Sequence, residues 1–128
     1  MDPKTLKYAP SHEWVALDGD VATVGISKFA ADQLTDLILI DLDKAKPGAR
    51  LTAGQIFGQV ESVKNVSDLY SPVAGEVVEV NSAVIQDLEL ISKDPFGAGW
   101  VVKLKGVEAP TDLLDYESYE RKIADEAH

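Results

Sequence analysis

Few residues in this chain could do chemistry unaided. Among its 128 residues there is no cysteine, and the two histidines are His12 and His128. Without thiols there are no disulfides, thiolate nucleophiles or thiolate metal sites. His128 is the last residue and His12 has no second histidine near it in sequence. A histidine-based metal centre or a serine–histidine–aspartate triad cannot be assembled convincingly from this inventory. The 22 acidic residues are scattered, the pattern of a solvated surface. No catalytic residue and no metal site are therefore expected, and any chemistry must arrive on an added group. One lysine raises the question of where: an exposed turn lysine is ordinarily a solubilising charge, and its context also suits a tip that a modifying enzyme could reach. In "ESVKNVSD", Glu61–Asp68, Lys64 stands between Val63 and Val66, where a strand–turn–strand is expected. A lysine at a hairpin tip is accessible, and its four-carbon stem holds the amine away from the backbone.

The elements that must carry that tip can be read from pattern. "EWVALDGDVATVGIS" predicts strands Glu13–Leu17 and Val21–Ile26 around the turn Asp18-Gly19-Asp20, with Gly19 free to take positive φ. Ser27 is placed to cap a helix from Lys28 to about Leu34. Leu37–Leu42 is an apolar β-type run ending in the loop "DKAKPGAR". Strands are predicted at Gln55–Ser62, Ser67–Ser71 and Glu76–Val80, and Ala83–Pro95 reads as mostly irregular. "GWVVKLK" is a further strand, with Trp100, Val102 and Leu104 alternating against Val101, Lys103 and Lys105. A helical tail over about 111–126 is expected, with Thr111 as its cap and Tyr116, Tyr119 and Ile123 on one face. Ala53-Gly54-Gln55-Ile56 and Ala74-Gly75-Glu76-Val77 form a weak repeat, a glycine turn before each of two strands. Duplicated hairpins would build a sandwich or flattened barrel with approximate twofold symmetry; alternatively, such turns simply recur in β proteins.

Composition sets the class. The chain is 45% hydrophobic and 27% charged, as expected of one folded domain spanning residues 1–128. No apolar run approaches the ~20 residues needed to cross a bilayer. The start "MDPKTLKYAP" has no apolar signal region, so a mature cytoplasmic protein is expected. A net charge of −10 disfavours nucleic acid and anionic membranes and favours basic protein faces.

The segment "ESVKNVSDLYSPVAGEVVEVN" resembles the lipoyl-attachment segment of the glycine cleavage system H protein family. "LKYAPSHEWV", "VATVGIS", "DPFGAGWVVKLK" and the tyrosine-bearing tail follow in the family's order, so the resemblance covers nearly the whole chain. It implies a mainly β fold, the lipoyl-domain β sandwich or barrel-sandwich hybrid, with short helices and a C-terminal helix. It implies lipoate attached covalently to Lys64 as N6-lipoyllysine. It implies a non-catalytic, monomeric carrier that shuttles an aminomethyl group and reducing equivalents. The implied partners are a pyridoxal-phosphate-dependent glycine decarboxylase, a folate-dependent aminomethyltransferase, dihydrolipoamide dehydrogenase and lipoyl-attaching enzymes. The positions matching the groups that hold the loaded arm are Ser11, Glu13 and Asp68. Pattern alone would read Glu13 as a solvent-facing strand residue and Asp68 as a turn residue.

The chain departs from the family's usual pattern in places. Thr35 stands for a usual glycine, Leu88 for a proline, Ser92 for an asparagine and Asn65 for a common alanine, and the loop after Leu42 lacks the usual Leu-Pro pair. These departures bear on which enzymes the arm serves. H-protein-like carriers of bacterial sulfur oxidation, working with a heterodisulfide-reductase-like complex, or of lipoyl relay are the alternative. A biotin carrier is disfavoured, because biotinyl lysines typically lie between methionines. A cofactor-free interaction module would show no mass shift after treatment with a lipoyl ligase.

Overall fold

The protein is described by a computed structural model covering residues 2–34, 36–107 and 113–126. Thr35, Thr111 and His128, singled out above, lie outside the described residues. Among the described residues there are nine strands: β1 (Lys7–Tyr8), β2 (Glu13–Asp18), β3 (Val21–Ile26), β4 (Leu37–Asp41), β5 (Arg50–Leu51), β6 (Ile56–Ser62), β7 (Val66–Tyr70), β8 (Gly75–Val80) and β9 (Val102–Lys105). All pairings are antiparallel; one sheet runs β1-β2-β3-β9-β8-β5 and the other β4-β6-β7. The inward faces of the two sheets form the main core, with Val15, Val24, Leu51, Phe57, Val60, Val77 and Leu104 all essentially inaccessible. This is the two-sheet architecture expected, because period-2 alternation gives each strand one apolar face that must be covered.

The β2–β3 hairpin shows how sequence fixes register. Asp18 pairs with Val21 across the two-residue loop Gly19-Asp20. Gly19 has φ 63°, and Asp20 is not in the left-handed region, the pattern of a type II′ turn. That register sets Trp14 opposite Gly25. The indole lies over the glycine so closely that a Cβ there would sit 2.5 Å from the ring. Trp14 is fully buried and donates its Nε1–H to the Pro95 carbonyl at 2.9 Å.

Four helices complete the fold: α1 (Lys28–Gln33), α2 (Ser82–Gln86), α3 (Glu89–Lys93) and α4 (Tyr116–Glu126). Ser27 caps α1 as expected, accepting from the Ala30 N–H. The tract from Ala83 to Pro95 is a correction: it holds α2 and most of it is not irregular, since α3 follows. Each helix has five residues, too few to display a 3.6-residue period. One buried anchor apiece, Val84 and Ile91, holds them; Asn81 caps α2, whereas the N-cap of α3, Leu88, makes no side-chain bond and Asp87 before it accepts from Glu89 N–H. Leu88 and Ser92, two of the departures, fall at the start and inside of α3.

The tail helix also begins later than about 111. Leu114 is extended and exchanges backbone hydrogen bonds with Tyr8. Asp115 then acts as the cap, its Oδ1 accepting from Ser118 N–H at 2.8 Å. Tyr116, Tyr119 and Ile123 do share a face, packed with Leu6, Tyr8 and Trp14 in a second cluster outside the main core. The repeat is only partly symmetric. Its strands β6 and β8 lie in opposite sheets, but Gly54 is a turn glycine at φ 86° whereas Gly75 is already within β8. "GWVVKLK" enters the ladder only at Val102, with Val101 buried beside it through bonds to Val24 and Asn81.

Asn81 ties these parts together. Its Nδ2 donates to the carbonyls of Ala98 at 2.9 Å and Trp100 at 2.7 Å, while Oδ1 accepts from Ala83 N–H. Asn81→Ala removes all three bonds at a site only 8% exposed. A loss of about 2 kcal/mol is expected, read as a lower urea midpoint at unchanged slope.

Candidate functional site

Lys64 lies in the turn between β6 and β7, exposed to solvent. The turn is held from beneath. Ser62 N–H donates to the Asn65 carbonyl at 2.8 Å, and Ser62 Oγ accepts from Asn65 N–H at 3.2 Å. Val63 N–H reaches the Asp36 carbonyl at 3.2 Å, tying the tip to the start of β4. Val63 and Val66 flank the lysine and are 66% and 57% exposed, so neither packs the amine down. On β4, Ile38 and Leu39 are exposed in succession, because a register shift between Leu37 and Leu39 breaks the alternation.

Ser11, Glu13 and Asp68 come together. They line one cleft of about 140 Å³ with Ile26, Leu34 and Val60. Glu13 opens β2 and is 2% exposed, so the solvent-facing reading from pattern alone is wrong. Two donors account for its burial. The Ser11 hydroxyl donates to Oε1, and the backbone N–H of Tyr70 donates to Oε2 at 3.1 Å. Tyr70 sits on β7, an edge strand of the three-stranded sheet, so Glu13 links the two sheets. Burial pushes the Glu13 carboxyl up to about 7, against the opposing pull of Ser11 and Tyr70. Asp68 is on β7 and not in the turn; it is exposed, with Oδ1 accepting from Gln59 Nε2 at 3.0 Å across the strand pair. The cleft thus offers an apolar wall, a buried carboxylate poised near neutrality and a second carboxylate at its mouth. Such a set suits a primary ammonium group on an apolar stem.

Pattern reading passed over His12, set aside for want of a second histidine. His12 lines the same cleft, with its backbone at φ 80°. Burial pulls the imidazole below its usual 6.5, against Glu126, whose Oε2 lies 3.0 Å from Nε2. Its adjacency to Glu13 in "SHEWV" was the one signal available. Gln59 carried no such signal, since its tie to Asp68 depends on strand register.

Residues 6–126 match the family model described as glycine cleavage H-protein. A glycine cleavage system H protein of Bacteroides fragilis is 48% identical over 123 residues, 94% of this chain and 96% of that one. One from Thermobifida fusca is 49% identical over 117 residues, 91% of each chain. The crystal structure of a glycine cleavage system H protein from Mycobacterium marinum superposes with a TM-score of 0.87 at 36% identity, covering 96% of this chain and 99% of that one. With the family model matched over residues 6–126, relatives close to half identical over nearly the whole chain and a shared fold, the chain belongs to the glycine cleavage H-protein family.

Proposed function

We propose that this chain is the lipoyl-bearing carrier of a glycine cleavage system, with lipoate joined to Lys64 Nζ as an amide. One observation carries the reading: the exposed lysine lies within an arm's length of a cleft suited to a cation. Asp68 is four residues beyond Lys64 through the turn and into β7, so the two are at most ~13 Å apart along the chain. An extended lipoyllysine runs about twelve bonds from Cα to the nearer sulfur, the length of about four extended residues.

The attached group supplies a dithiol, sulfur chemistry that the cysteine-free chain lacks. The chain's own residues present, shelter and release. The β6–β7 turn presents the arm to pyridoxal-phosphate, folate and flavin enzymes in turn. Ser11, Glu13 and Asp68 hold the cargo ammonium between visits, and Ile26 and Leu34 cover the stem. Tethering replaces diffusion, raising the effective concentration of the cargo at each partner. The acidic surface, net −10, suits partners with basic faces. No helix among the described residues is long and apolar enough to cross a membrane; a cytoplasmic monomer is part of this proposal.

Lipoylated protein mixed with glycine and a pyridoxal-phosphate-dependent glycine decarboxylase is expected to gain the mass of the one-carbon amine. No gain there, with loading by sulfur-transfer enzymes instead, would assign the chain to sulfur oxidation. The relatives compared above bear the glycine cleavage name and do not favour that alternative.

A further inference from the structure

His12, Ala30 and Leu34 are among the residues that line the cleft. The backbone already joins His12 to the start of α1, Ser27 N–H donating to the His12 carbonyl at 2.9 Å, and a residue outside the cleft ties their side chains. Tyr119, on α4, does not line the cleft. Its hydroxyl lies 2.7 Å from His12 Nδ1 and 2.6 Å from Ser27 Oγ.

The proton order of this chain follows from its ends. Glu126 is a carboxylate that only accepts, so the neutral imidazole carries its proton on Nε2 and Nδ1 accepts. Tyr119 must then donate to His12. Burial pushes the phenol up to about 12, so the proton it donates is kept. The Ser27 hydroxyl donates to the Tyr119 oxygen, and Ser27 Oγ accepts from Ala30 N–H at 3.3 Å. Every group in the sequence Ala30, Ser27, Tyr119, His12, Glu126 is used in one direction. His12 needs such support, since a non-glycine residue at φ 80° persists only where its surroundings over-determine it.

We propose that Tyr119 is a positioning residue for the arm cleft, its phenol fixing the His12 side chain against the start of α1. The proposal rests on the docking reading given above. α4 is then a brace for the cleft as well as a cover for the second cluster. Tyr8 provides an internal control. It stacks on Tyr119 with ring centroids 4.3 Å apart, and its own hydroxyl donates to the Pro3 carbonyl, away from the cleft.

The test compares wild type, Tyr119→Phe, Tyr8→Phe and Glu13→Gln, each lipoylated. In unloaded protein, the side-chain ¹⁵N resonances of His12 report its Nδ1 partner. They should move in Tyr119→Phe and stay in Tyr8→Phe. In loaded protein, Tyr119→Phe should shorten the half-life of the cargo about three- to tenfold, as expected for one neutral hydrogen bond. Tyr8→Phe should leave it within about twofold, although it loses a phenol from the same cluster. A shifted His12 resonance with an unchanged half-life overturns the proposal. An equal effect from Tyr8→Phe does so too, since it would mean general loosening. If wild type protects its cargo no better than Glu13→Gln, the docking reading itself is wrong, a separate outcome recognised without Tyr119. Should Tyr119→Phe fail to fold, Ser27→Ala cuts the same chain at the α1 end; it keeps the Nδ1 partner of His12, and the shortened half-life of the cargo is the expectation it carries, an unchanged half-life overturning the proposal.

Discussion

Lys64→Arg protein treated with a lipoyl ligase is expected to keep its unmodified mass, while wild type gains one lipoyl group. Arginine preserves charge and length but has no primary amine that is deprotonated for acylation. Loss of carrier activity should be complete, because the chain has no other route to sulfur: it contains no cysteine, and its one methionine is Met1. The fold should not notice. Lys64 is exposed, and the turn is specified by Ser62, Asn65 and Asp36 backbone and side-chain bonds that do not involve its side chain. Surface changes of this kind fall within ~0.5 kcal/mol. Intact mass, peptide mapping and a thermal melt decide the matter together. Modification of the arginine variant to the same extent would remove Lys64 from its role, and a melt lowered by several degrees would make it structural.

Glu13→Gln should change two things in opposite senses. Without cargo, the ionised carboxylate is costly in the folded state. Its pKa is raised from 4.5 to about 7, so this contribution to stability is fully present below about 4.5 and is lost as pH rises through about 7. The full loss is about 3 kcal/mol. Glutamine has no such titration. The variant should therefore gain on wild type by about that amount between pH 4.5 and pH 8 in urea melts, and His12, common to both proteins, cancels from the difference. With cargo, the sign reverses. An ammonium in the cleft stabilises the Glu13 carboxylate, and one charge-assisted bond of ~1.5–3 kcal/mol corresponds to roughly ten- to a hundredfold in docked population. Cargo should then be hydrolysed faster from Glu13→Gln by up to that factor, with the unloaded arm reoxidised at the wild-type rate. A pH-independent difference in stability would show that Glu13 is not buried as found here.

Both predictions depend on one carboxylate and one amine brought into reach by strands whose existence was readable in advance. The hairpins announce themselves by alternation and by turn residues: β2–β3 by Gly19, and β6–β7 by the polar break at Lys64-Asn65. The five-residue helices α2 and α3 did not, since their caps and single buried anchors leave no period to detect. The tail helix was legible but its start was not, because Leu114 prefers a bridge to Tyr8 that no local pattern encodes.

The sequence by itself determined that the chain has no thiol, that one lysine stands in a hairpin turn, and that the chain folds as an alternating β protein of one family. Those are matters of composition and short-range order: the absence of thiols, strand periodicity, turn chemistry and a contiguous motif. Tertiary structure alone decided the rest. Glu13 reads as a surface acid in its own strand, and burial between the sheets raises its carboxyl toward neutrality, while Tyr70, 57 residues away, supplies a backbone N–H from the other sheet that partly offsets the rise. His12 reads as an isolated imidazole, and in the fold it lines the cleft with its Nδ1 bonded to the hydroxyl of Tyr119, 107 residues away. Burial and hydrogen bonding set what a titratable side chain does, and both depend on which distant segments the fold packs against it.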